Sequence, residues 1–199
     1  MDLAGLVVFA CALFIAAASP GPGIAAIVAR VLGRGTRGAL AFTAGVALGD
    51  VVWLTVAILG LSALAQAFHG LFEIVKYAGA AYLLYLAWRL WTAPIALETA
   101  REKPVRLFLG GLAVTMGNPK VMVFYLALLP ALIDTARVTV VGYAELVAVT
   151  LGVLAIVFTG YVVLASRARR LFTSPRALKA VNRGTGAVMA GAAAAIAAR

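Results

Sequence analysis

Six stretches of this chain are long and apolar enough, or nearly so, to cross a lipid bilayer, and this restricts the folds open to it. They cover residues 3–29, 39–65, 71–91, 107–133, 138–166 and 184–198, the last short and rich in alanine. A hydrocarbon core of ~30 Å takes about 20 mostly apolar residues per helix. Gly, Ala and Thr recur throughout, which suits close helix packing, and the strict alternation of a transmembrane β-barrel is missing. The expected fold is an all-α integral membrane protein of six transmembrane helices. The first stretch also resembles a secretory leader, but it starts with Asp2 rather than a basic residue and runs into Pro20 after Ser19. It is read as a retained helix.

Composition agrees: 64% of the 199 residues are hydrophobic, 12% are charged, and the mean hydropathy is +1.06. Soluble domains carry about 45–50% apolar and about 25% charged residues, and disordered chains fewer apolar ones still. Cys11 and His69 are the single cysteine and the single histidine, so no intrachain disulfide or multi-cysteine metal site can form. No cofactor is expected. The net charge of +10 could suggest nucleic-acid binding, but the charges are placed otherwise. Thirteen of the 17 Lys and Arg residues fall in three alternate connections: Arg30, Arg34 and Arg37; Arg89, Arg101, Lys103 and Arg106; and Arg167 to Arg183. The opposite side holds Lys76, Arg137 and Arg199. By the positive-inside rule the basic connections are cytoplasmic and both termini lie outside, with no nucleic-acid partner.

Two apolar stretches are interrupted. Ser19-Pro20-Gly21-Pro22-Gly23 breaks the first and Gly117-Asn118-Pro119 the fourth, with Pro20 and Asn118 98 residues apart, about half the chain. Three helices per half is an odd number, so two related halves would insert with opposite orientation. The expected plan is a single membrane domain over residues 1–199, made of two inverted three-helix repeats, 1–98 and 99–199, with helices 1 and 4 broken. Matched breaks of this kind point to a substrate site in secondary transporters. Proline removes an N–H and clashes with the preceding turn, and backbone freed at membrane depth must be satisfied by protein or a wet cavity. Asn118 followed by Pro119 reads as an N-cap and first-turn residue of a second half-helix, whose N-terminus suits a carboxylate. A proline kink is the plain alternative for either break alone; the matched pair favours a site.

Two charges stand where the bilayer centre should be. Asp50 lies 13 residues after Arg37, and Lys120 lies 14 residues from both Arg106 and Asp134. Such a residue costs roughly 2.5–3.5 kcal/mol on insertion scales, so it faces an interior or a cavity. Asp50 reads as a carboxylate that takes a proton or binds an ammonium. Lys120 reads as its ion-pair partner or as a contact for a substrate carboxylate. A static Asp50–Lys120 salt bridge is the competing reading. Gly45 and Gly49 form a small-residue face for close helix approach, and this face also permits a homodimer. Trp88 and Trp91 read as interfacial anchors.

Taken together, Ser19-Pro20-Gly21-Pro22-Gly23, Gly45 to Asp50, Gly79 to Leu86, and Gly111 through Asn118-Pro119-Lys120 resemble the lysine exporter and homoserine/threonine resistance family of bacterial amino-acid exporters (LysE/RhtB). The segments occur in the family's order over nearly the whole chain; Ala87 stands where a glycine often follows the Tyr-Leu run. The resemblance implies a multi-pass protein of the bacterial inner membrane that exports amino acids or related small metabolites, in exchange for protons. It also implies a transport site containing Pro20, Gly21, Pro22, Gly23, Asp50, Asn118, Pro119 and Lys120; Asp50, read above as a carboxylate that takes a proton or binds an ammonium, is the expected coupling residue.

The leading expectation is therefore a secondary active exporter working by alternating access, an antiporter rather than an enzyme. Its expected partners are a small zwitterionic substrate, the proton and the lipid bilayer. A passive small-solute channel is the alternative, and it would need a more continuous polar path than Asp50, Lys120 and scattered Ser and Thr provide.

Overall fold

The computed structural model describes residues 2–60 and 103–171 continuously, with scattered positions within 77–92 and 180–194. Every regular element among the described residues is helical. Helix α1 (Leu3–Ala18) stops because Pro20 forces the preceding residue out of the helical region, and Ser19 is extended (φ −66°, ψ 128°). Helix α2 (Pro22–Arg34) restarts with proline in its first turn, where a missing N–H costs nothing. It ends at Gly35, whose φ of 75° favours glycine. Helix α3 (Ala39–Ile58) follows.

The second described region repeats this pattern. Helix α4 (Pro104–Met116) is separated by Gly117 and Asn118 from α5 (Pro119–Leu132), which again opens on proline. The Asn118 side chain accepts the Lys120 backbone N–H at 3.1 Å, as an N-cap does. The α1–α2 pair is bent by 54° and the α4–α5 pair by 56°. A long helix, α6 (Val140–Leu171), completes the second continuously described region. Two helices, α3 and α6, are each long and apolar enough to cross a membrane, and each bent pair also qualifies as one broken span. Most of stretches 71–91 and 184–198 lies outside the described residues, as do His69, Glu73, Lys76 and Tyr82. Trp91, expected to be an interfacial anchor, is exposed and donates its indole N–H to the Arg183 carbonyl at 2.9 Å.

The interior is divided into two main apolar clusters. One joins Phe9 and Leu13 of α1 to Leu54 of α3, Met122 and Leu129 of α5, and Leu146 of α6. The other joins Ile24 and Ile27 of α2 to Phe42 and Val46 of α3, Val114 of α4, and Leu154 of α6. Thus α1 shares its cluster with α5 and α2 shares its cluster with α4, so the two broken helices run in opposite directions. Large apolar side chains also cover the outside, among them Leu40, Val140 and Ile156. A soluble protein rarely presents so much apolar surface, whereas a lipid-facing one must.

The glycine face of α3 is filled from within the chain. A Cβ on Gly45 would land on the Phe108 carbonyl oxygen of α4, and one on Gly111 would land on the Phe42 carbonyl of α3. One on Gly49 would strike the Thr115 side chain. These close approaches fix α3 against α4 over most of their length. The face expected to permit a homodimer is therefore occupied by α4 of the same chain, and a dimer would have to form through another surface.

Candidate transport site

Both breaks, α3 and α6 meet around one small cavity of about 50 Å³. Its apolar walls include Ile24, Val46, Phe124, Leu154 and Phe158. Polar groups enter from three sides: Gly21 and Gly23 from the first break, Asp50 from α3, and Thr115, Asn118, Lys120 and Tyr125 from α4 and α5. Of the residues expected at the site, Gly21, Gly23, Asp50, Asn118 and Lys120 are brought together here. Pro20, Pro22 and Pro119 do not line the cavity; Pro22 and Pro119 start the half-helices behind it.

The breaks touch each other. The Lys120 ammonium donates to the Ser19 carbonyl at 2.5 Å, across the gap between α5 and the end of α1. A Cβ on Gly21 would come within 3.3 Å of the Lys120 side chain, and one on Gly23 would lie 3.7 Å from the Asn118 amide nitrogen. Glycine at 21 is what lets the lysine lie this close. The C-terminal end of α1 carries partial negative charge, so a cation there is favourable. The neighbouring Ala18 carbonyl accepts from the Tyr161 hydroxyl of α6 at 2.7 Å. Lys120 therefore holds the two breaks together, and it faces Asp50 at Coulombic range rather than closing a contact ion pair. The static salt bridge anticipated as the rival reading does not form in this conformation.

The two half-helix N-termini differ. At α5 the Asn118 side chain already takes the Lys120 N–H, and the N–H groups of Val121 and Met122 go to the Asn118 carbonyl. At α2 the N-cap is Gly21, which has no side chain to cap with. The first-turn amides of Gly23 and Ile24 have no helical carbonyl to bond, and both residues line the cavity. Of the two N-termini, α2 is the one left open to an anionic group.

Asp50 is buried, with 5% of its surface exposed, and lies beside the Tyr125 hydroxyl. Asp50, Tyr125 and Thr150 of α6 form a short polar row inside an otherwise apolar interior. Tyr125 and Thr150 were not expected at the site. In a run such as Phe124-Tyr125-Leu126 a tyrosine reads as core or anchor, and the nearby signal is Pro130, which disturbs the helix. The turn just before Pro130, Phe124–Leu128, is π-helical. A π turn shifts the register of the side chains after it and accommodates a proline that would otherwise clash with the preceding carbonyls.

Two bent helix pairs that meet at a buried carboxylate and an ammonium are the plan on which secondary transporters build a substrate site. Sequence comparisons give the same class. Residues 14–199 match the family model described as LysE type translocator. The homoserine/homoserine lactone efflux protein of Salmonella typhimurium is 33% identical over 174 residues, 85% of this chain and 84% of that protein. The leucine efflux protein of Salmonella choleraesuis is 32% identical over 152 residues, 73% of this chain and 71% of that one. An uncharacterized membrane protein of Vibrio cholerae is 29% identical over 87% of this chain and 86% of its own length. No solved structure matches the chain. The chain belongs to the LysE family of translocators, and it is a multi-pass membrane protein.

Proposed function

We propose that this protein is a secondary active exporter of neutral amino acids, exchanging them for protons by alternating access across a bacterial inner membrane. The observation that carries the reading is the cavity that both helix breaks share with Asp50 and Lys120. In this reading the chain has six spans in two inverted repeats, 1–98 and 99–199. The equal bends and the opposite run of α1–α2 and α4–α5 support it. The basic connections face the cytoplasm and the termini the outside.

The cavity suggests how a zwitterion would sit. The substrate ammonium pairs with Asp50, and its carboxylate meets Lys120 and the open amides at the start of α2. Among the described lining residues those are the two full charges, and a zwitterion uses both. A charged substrate side chain would then be buried without a partner, which costs several kcal/mol. Apolar walls suit a neutral side chain, in keeping with relatives named for leucine and homoserine efflux.

At about 50 Å³ the cavity is far below the ~300 Å³ lower end of ligand pockets. It has room for a few waters at ~10–15 Å³ each. Substrate entry requires the breaks to part, and the Lys120–Ser19 contact joins them in the conformation described. A site that must open to load is a carrier's site, which favours an exporter over a passive channel.

Counterflow in proteoliposomes tests the reading. Vesicles loaded with unlabelled L-leucine or L-homoserine are expected to accumulate the labelled compound with saturable kinetics. Vesicles loaded with L-lysine or L-glutamate are expected to exchange at least tenfold more slowly. Uptake that rises linearly with concentration and shows no counterflow would replace the carrier with a channel.

A further inference from the structure

Tyr125 and Thr150 are both completely buried, at 0% exposure, and neither hydroxyl has a well-formed hydrogen bond. Buried hydroxyls almost always find a partner, so two neighbours left without one call for an explanation. Packing does not supply it, since Phe and Val would fill the same space without polar atoms. Both hydroxyls lie near the buried Asp50 carboxylate: Tyr125 lines the same cavity, and Thr150 neighbours Tyr125. Tyr125 also lies in the π-helical turn before Pro130, and the shifted register of that turn leaves the tyrosine lining the cavity with Asp50.

We propose that Tyr125 is a positioning residue for Asp50: its hydroxyl, steadied by Thr150, holds one carboxylate oxygen and leaves the other turned to the cavity for the substrate ammonium. The proposal rests on the amino-acid exporter reading and adds to it the groups that aim the carboxylate. An ionised carboxylate only accepts, so the tyrosine donates to it and accepts from the Thr150 hydroxyl in turn. The loose geometry suits this role. Asp50 changes partners as substrate arrives and leaves, and a hydroxyl locked into one short bond would resist the exchange. Thr150 can fall back on the carbonyl four residues earlier in α6, as threonines in helices commonly do. The other charged group facing Asp50 from the packed helices is Lys120 of α5, already engaged with the Ser19 carbonyl.

The test is equilibrium binding of radiolabelled L-leucine and L-homoserine to the purified protein and its variants, with thermal midpoints measured alongside. Tyr125→Phe is expected to weaken binding about tenfold, the scale of a lost hydrogen bond to a charged group. Thr150→Val is expected to weaken it about threefold. The double variant should match Tyr125→Phe alone, because Thr150 acts only through the tyrosine hydroxyl. Thermal midpoints should change little, since neither hydroxyl makes a well-formed hydrogen bond in the substrate-free conformation. Unchanged affinity in Tyr125→Phe, losses that multiply in the double variant, or weakened binding that tracks a lowered midpoint would each overturn the positioning role. Wild-type protein that binds neither amino acid would overturn the exporter reading and this proposal with it. Wild-type binding with an unaffected Tyr125→Phe variant would overturn the proposal alone.

Discussion

Replacing Asp50 with asparagine is expected to lower L-homoserine and L-leucine efflux from proteoliposomes at least about a hundredfold, with the protein still folded. The size follows from what the carboxylate is asked to do. In the proposed site it supplies the negative charge for the substrate ammonium, in a buried setting where a charged hydrogen-bonded partner is worth about 1.5–3 kcal/mol. It is also the one acidic group among the described cavity-lining residues, so it is the group able to take up a proton once substrate has left. Asparagine keeps the shape and loses both abilities, so the loss of binding and the loss of cycling combine. Stability should fall little, because an asparagine is cheaper to bury than a carboxylate. Efflux at the wild-type rate in Asp50→Asn vesicles, with an undiminished response to pH, would remove Asp50 from the mechanism.

The second large effect is structural. Gly45→Val and Gly111→Val are each expected to destabilise the protein by about 3 kcal/mol or more, at or above the top of the range for overpacking. They should cut the yield of folded protein extracted from membranes severely. The reason is the nature of the neighbour. At both positions the added Cβ meets a backbone carbonyl of the facing helix, Phe108 for Gly45 and Phe42 for Gly111. A side chain could rotate away, but a helix backbone moves only as a whole. Moving α3 from α4 would also disturb Trp53, which donates to the Thr115 carbonyl at 3.3 Å, and with it the α3 segment that carries Asp50. Gly160→Val makes a useful control, because a Cβ there meets nothing within 4 Å. Monodisperse, thermally unchanged Gly45→Val and Gly111→Val proteins would contradict the packing described.

Much of this was legible in the sequence because the features involved are punctuation in an apolar text. Pro20, Pro22 and Pro119 announce the breaks because each clashes with the turn before it and stands beside a glycine or an asparagine, where a helix is already weak. Asp50 and Lys120 stand out because charges are rare at membrane depth. Partners were less legible. A glycine stripe at Gly45 and Gly49 predicts that a helix comes close, but not that it is α4 of the same chain rather than a second copy. Lys120 in the sequence suggested Asp50 as its mate, whereas folding brings the Ser19 carbonyl nearer, a pairing that depends on how two breaks cross. Tyr125 and Thr150 were hidden for another reason. Their residue types are common in apolar helices, and only the shifted register of the π turn and the neighbouring Asp50 set them apart.

In the proposed exchange, substrate leaves as protons enter through the same site. Proteoliposomes loaded with L-homoserine and an internal pH dye, diluted into substrate-free medium of equal pH, test it most directly. Homoserine efflux is expected to acidify the vesicle interior, both are expected to stop together in Asp50→Asn vesicles, and external acid is expected to speed them. Homoserine leaving with no change in internal pH would contradict proton exchange, and homoserine retained under every gradient would contradict export of this substrate.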